Sequence, residues 1–108
     1  MRVLLGSLTE VPEGRVKVVF FPQGTPPKRS ILFTRAPIGP KAYWNVCRHL
    51  PVPLDGGLMR LEEGLVCLTH GAKYQSNSGR CFEGPCVGEY LEAIPIEIEG
   101  DQVYALVP

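Results

Sequence analysis

Long apolar runs are missing from this chain. A bilayer span takes about 20 consecutive apolar residues, and runs such as Val18-Val19-Phe20-Phe21 end far short of that. The opening residues, Met1-Arg2-Val3-Leu4-Leu5-Gly6, lack the apolar region of a secretory signal. The expectation is therefore a cytoplasmic protein without a membrane partner. Charge excess is also missing: eleven basic residues balance eleven acidic ones for a formal net charge of zero. That argues against a nucleic-acid partner, which usually selects a basic excess or stripe. There is no Gly-x-Gly-x-x-Gly phosphate cradle for a flavin or nicotinamide. No stretch of about 12 residues keeps a helical period. Histidine is scarce, with two in 108 residues.

What is present is punctuation. Eleven prolines and twelve glycines cut the chain into short pieces. Between them stand runs with β-branched and aromatic character: 16–21, 31–34 and 42–46. Ile94, Ile96 and Ile98 alternate with Pro95, Glu97 and Glu99, the period of a half-buried strand. Gly100-Asp101 offers a turn, and 103–107 returns as the second arm of a terminal hairpin. Further turn signals stand at Glu13-Gly14, Gly24 to Pro27 and Gly56-Gly57. The reading is one all-β domain over 1–108, built of short antiparallel strands. Segments 47–53 and 67–86 gather Cys, His, Gly and Pro and read as two functional loops.

Both histidines follow a cysteine closely: Cys47-Arg48-His49, then Cys67-Leu68-Thr69-His70. Two buried cysteines and two surface histidines would produce the same letters. A metal reading uses them better, because thiolate and imidazole together suit zinc and iron–sulfur centres. Structural zinc sites favour cysteines paired with each other and histidines paired with each other. A Cys-x-His pair is tight for one tetrahedral ion. It fits more easily where each segment gives its cysteine to one metal and its histidine to a second.

The pattern Cys-x-His…Cys-x-x-His resembles the signature of Rieske 2Fe-2S proteins, in which two histidines replace two cysteines on one iron. The second box runs on as His70-Gly71-Ala72-Lys73-Tyr74, similar to the family's His-Gly-x-x-(Phe/Tyr). Gly79-Arg80-Cys81-Phe82-Glu83-Gly84-Pro85 resembles its later Gly-Pro segment, and Ile94-Pro95-Ile96…Val103-Tyr104 its closing hairpin. The resemblance implies a β-sandwich with a two-loop cluster-binding tip. It assigns Cys47 and Cys67 to the inner iron and His49 and His70 to the outer, more exposed one. It places Pro85 over the cluster and Tyr74 where a hydroxyl bonds a ligand cysteine.

Two departures separate the chain from the respiratory branch of that family. The extra loop cysteines that form a disulfide there are absent, since the segments read His49-Leu50-Pro51-Val52-Pro53 and Leu68-Thr69. Ala72 stands where that branch has a serine bonding a cluster sulfur. The sequence is closer to the soluble Rieske-type ferredoxins that serve oxygenases. The implied function is one-electron transport from a reductase to a terminal oxygenase by a monomer that docks transiently and is not itself an enzyme. A small redox subunit of a larger complex, nitrite-reductase-like, is the alternative; a structural zinc module is a weaker one.

Cys81 and Cys86 are left over. They read first as small buried hydrophobes, with a redox switch, extra ligands or a disulfide as alternatives, the last disfavoured by a cytosolic setting. Trp44 reads as a packing aromatic. Glu62-Glu63 and the Glu97, Glu99 pair read as solvated edges rather than a docking face.

Overall fold

The computed structural model describes residues 1–12, 15–25, 27–46, 59–60, 64–66 and 72–108. These form ten strands: β1 (Arg2–Ser7), β2 (Val16–Phe20), β3 (Ser30–Ala36), β4 (Gly39–Trp44), β5 (Met59–Arg60), β6 (Gly64–Val66), β7 (Lys73–Tyr74), β8 (Cys81–Glu83), β9 (Ile96–Glu99) and β10 (Gln102–Leu106). Three antiparallel sheets result, in the orders β1-β10-β9, β2-β3-β4 and β5-β6-β7-β8. All-β antiparallel architecture is therefore the observed class. No described residue is helical, so no helix could cross a membrane.

The central sheet explains why Ile31-Leu32-Phe33 runs apolar without alternation. Successive side chains on a strand point to opposite faces. Ile31 and Phe33 enter one core with Ala42, Trp44, Leu5, Val103 and Ala105. Leu32 enters a second core with Tyr43, Leu65, Ala72, Tyr74, Cys81, Cys86 and Leu91. Sheet β2-β3-β4 is thus packed on both faces. The terminal sheet covers one face, and the small sheet β5–β8 covers the other. Trp44 packs as expected, tilted against Phe21 with ring centroids 5.8 Å apart.

The terminal hairpin forms, with one adjustment. Ile98 pairs with Val103 and Ile96 with Ala105, so the isoleucines do share the core face. Strand β9 is the sheet edge, however, and Ile98 overhangs it, 48% exposed. Glu97 and Glu99 lie on that edge and are ion-paired with Arg2 at 2.6 and 3.1 Å. Strand β1 was not anticipated. Its partners, such as Leu106 opposite Arg2, stand at the other end of the chain, and a bulge between Leu4 and Gly6 turns Leu5 into the core.

Tyr43 links the central sheet to the 76–79 turn. Its buried hydroxyl donates to the Ser76 carbonyl at 2.7 Å. Gly79 sits against the ring at φ +77°, where an added Cβ would lie 2.8 Å from Tyr43 Cε1. Gly88, at φ +95°, faces open space. Gly79→Ala should therefore pay both left-handed strain and overpacking, roughly 2–4 kcal/mol. Gly88→Ala should show the strain alone, about 1–2 kcal/mol. Urea unfolding of the two variants measures the difference; equal losses would contradict the Tyr43 contact.

Burial also pushes the Tyr43 hydroxyl up from its usual 10 to about 12. The fold favours the neutral phenol, so this contribution is complete below pH 10 and is lost as pH rises from 10 to 12. Denaturant titrations over that window should show a decline in stability that Tyr43→Phe reduces.

Candidate metal centre

The small sheet is built of strands of two or three residues, and its register decides what meets at its end. Met59 pairs with Leu65 and Arg60 with Gly64, so the start of β5 lies beside the finish of β6. Leu65 pairs with Tyr74 and Val66 with Lys73, so the finish of β6 lies beside the start of β7. Lys73 pairs with Glu83 and Tyr74 with Cys81, so the start of β7 lies beside the finish of β8. Four strand ends therefore share one edge of the sheet. Met59, Val66, Lys73 and Glu83 are the described residues at that edge, and the Gly84-Pro85 turn follows Glu83.

Cys47, His49, Cys67 and His70 lie outside the described residues, as do Leu50, Pro51, Val52, Pro53 and Glu62-Glu63. Their neighbours are described. Ala72 and Tyr74 are fully buried in the second core. The Tyr74 hydroxyl contacts Cys86 Sγ at 3.2 Å, and this residue is partnered elsewhere as well. Pro85 is exposed in the turn that follows β8. Lys73 and Glu83, opposite each other at the shared edge, form an ion pair at 3.2 Å. Being partly exposed, that pair contributes under about 1 kcal/mol and serves mainly to leave no net charge between the two strands.

Cys81 and Cys86 are free thiols, both buried, as the reading of them as core residues requires. Burial, assisted by the neighbouring Cys86, pushes the Cys81 thiol up to about 11. Among the described residues, no three His, Cys, Asp or Glu side chains gather as a metal site.

One feature of this end escapes a reading of the letters. Phe82 and Val87 flank the Gly84-Pro85 turn and are exposed, Val87 by more than half; Tyr90, also more than half exposed, lies at the other end of β8, opposite Arg80. Strand alternation gives a signal for Phe82 alone, because Cys81 turns inward beside it; the turn geometry that presents Val87 has no such signature.

The donor set that the sequence offers suits an iron–sulfur centre: two thiolates for soft ligation and two imidazoles. A family model for the Rieske [2Fe-2S] domain matches residues 2–98. Comparison with curated protein sequences finds no significant match. Among solved structures, the Sphingomonas yanoikuyae B1 ferredoxin is 18% identical with a TM-score of 0.77, each chain being covered in full. A chain of the complex of reduced oxygenase and oxidized ferredoxin in carbazole 1,9a-dioxygenase is 17% identical with a TM-score of 0.75, over 96% of this chain and 100% of that one. The terminal oxygenase of carbazole 1,9a-dioxygenase from Novosphingobium sp. KA1 is 20% identical with a TM-score of 0.76, over 98% of this chain and 29% of that one. Such identities carry the fold, and the family model carries the cofactor: with its signature boxes, its all-β fold and a match over nearly its whole length, the chain belongs to the Rieske [2Fe-2S] domain family, whose cluster is ligated by two cysteines and two histidines.

Proposed function

We propose that this chain is a one-electron carrier whose Cys47 and Cys67 hold the inner iron and whose His49 and His70 hold the outer iron of the cluster. It acts as a single domain over 1–108, a cytoplasmic monomer that takes electrons from a reductase and delivers them to a terminal oxygenase. The observation that carries this reading is the Rieske [2Fe-2S] family match over residues 2–98; the register of β5–β8, which sets Met59, Val66, Lys73 and Glu83 at one end of the small sheet, supports it. A match that covers the Sphingomonas yanoikuyae B1 ferredoxin in full, and another from an oxygenase–ferredoxin complex, support the carrier reading.

The cluster supplies a one-electron couple; this chain supplies its setting. Soft thiolates at 47 and 67 and neutral imidazoles at 49 and 70 keep the total charge low, which favours the reduced form relative to four thiolates. Ala72, buried and without a hydroxyl, offers no hydrogen bond of the kind a serine would. Tyr74 is anchored in the core beside it. Phe82 and Val87, exposed around Pro85, can lose water at little cost when a partner docks. Such encounters bury less than about 1,200 Å² and are short-lived.

Cys47→Ser and Cys67→Ser should each abolish the red-brown chromophore, because hard oxygen replaces thiolate at iron. Retention of the wild-type visible spectrum in either variant would overturn the ligand assignment. A colourless wild-type protein containing zinc would overturn the function.

The potential should fall in the lower half of the Rieske range of about −150 to +300 mV, since no loop disulfide and no serine at position 72 stabilise the reduced form. Ala72→Ser should raise it. Protein-film voltammetry measures both values, and a wild-type potential near the top of the range would contradict the argument from absent hydrogen bonds.

A further inference from the structure

Cys81 and Cys86 have no role in the ligand set, yet they are placed against each other. Cys81 opens β8 and is 0% exposed; Cys86 follows the Gly84-Pro85 turn and is 5% exposed. The loop between them is clamped. Cys81 N–H donates to the Glu89 carbonyl at 2.7 Å, Gly88 N–H to the Cys81 carbonyl at 3.0 Å, and Glu89 N–H to the Cys86 carbonyl at 3.0 Å. Both thiols are therefore held by fixed backbone.

Their side chains form a relay. The Cys86 thiol donates to Cys81 Sγ at 3.0 Å, and the Cys81 thiol donates to the Glu83 carbonyl at 3.3 Å. The Tyr74 hydroxyl meets Cys86 Sγ at 3.2 Å. Both belong to the second core, and within it their sulfurs also face each other. Closing from this contact to a bond of 2.05 Å takes about 1 Å of sulfur travel, within reach of side-chain torsions.

We propose that Cys81 and Cys86 form a reversible dithiol–disulfide site whose oxidant is a small-molecule disulfide of the glutathione type. Cys86 attacks first, because it retains some exposure and lies between the exposed residues Pro85 and Val87. Its thiolate takes one sulfur of the small disulfide, forming a mixed disulfide and releasing the other half as a thiol. The thiolate of Cys81 then attacks Cys86 Sγ, forming the internal bond and expelling the second half. Two protein thiols are oxidised by two electrons, one small disulfide is reduced to two thiols, and both thiol protons end on the released molecules. Burial holds the Cys81 thiol up at about 11, which disfavours its attack from solvent; its 3.0 Å contact with Cys86 Sγ places it to resolve the mixed disulfide.

The bond would tie β8 to the turn that carries Pro85. An influence on the cluster through that turn rests on the proposed function; the disulfide itself does not.

The test uses the intact holoprotein, incubated anaerobically with oxidised glutathione, acid-quenched, alkylated under denaturing conditions and cleaved after Lys and Arg. Residues 81–108 contain neither Lys nor Arg, so cleavage after Arg80 yields one peptide with both cysteines and without Cys47 or Cys67. The expected peptide carries no alkyl group and is lighter by two hydrogen atoms than its unalkylated reduced form; dithiothreitol restores two alkylated cysteines. Cys86→Ser should leave Cys81 alkylated after the same treatment. A wild-type peptide that stays doubly alkylated, or that stops at a stable glutathione adduct, would overturn the proposal. The visible spectrum, recorded in parallel, reports separately on the iron–sulfur reading, so that either can fail alone.

Discussion

Leu65 and Tyr74 face each other across β6 and β7, and both are shut off from solvent. That pairing holds the small sheet to the rest of the molecule, because the two side chains share a core with Leu32 and Tyr43 of the central sheet. A sheet of two- and three-residue strands has too few ladder hydrogen bonds to persist alone. Packing supplies what the ladders do not. Once Leu65 and Tyr74 are fixed in register, Val66 must oppose Lys73, and the segment bearing Cys67 and His70 must leave and return at one edge. A slip of one residue would turn Tyr74 to solvent and break that arrangement.

The same edge serves two purposes. It is where the chain leaves β6 toward the proposed ligands Cys67 and His70, and the exposed Phe82 and Val87 stand beside the Gly84-Pro85 turn that follows it. An electron carrier needs both within a short distance, since its partner must approach the centre while leaving the ligands in place. The doubly buried central sheet provides the rigid base. Its opposite face is covered by β1, β9 and β10, whose Val103 and Ala105 are fully buried, so the two ends of the chain are tied down away from the site.

How much was legible follows from the length of each signal. The strands 16–21, 31–34, 42–46 and 103–107 announce themselves by β-branched and aromatic residues, and they appear within a few residues of those limits. Strand β1 does not, because its partner lies at the far end of the chain and a bulge interrupts its alternation. Strands β5 to β8 are shorter than any periodicity can register. The site shows the reverse case. The donor types of Cys47, His49, Cys67 and His70 are legible from chemistry and spacing, whereas the shared sheet edge emerges only from cross-strand register. The closeness of Cys81 and Cys86 is likewise invisible in the letters, since a separation of five residues fits many loops and only the clamp at Glu89 and Gly88 sets it.

Electron paramagnetic resonance of the singly reduced protein, with the nitrogen couplings resolved by pulsed methods, tests the central claim most directly. The account predicts one unpaired electron per chain, coupled to two imidazole nitrogens, with one coupling lost when either His49 or His70 is replaced by cysteine. A reduced protein that shows no such signal, or a signal without imidazole nitrogen coupling, would contradict it.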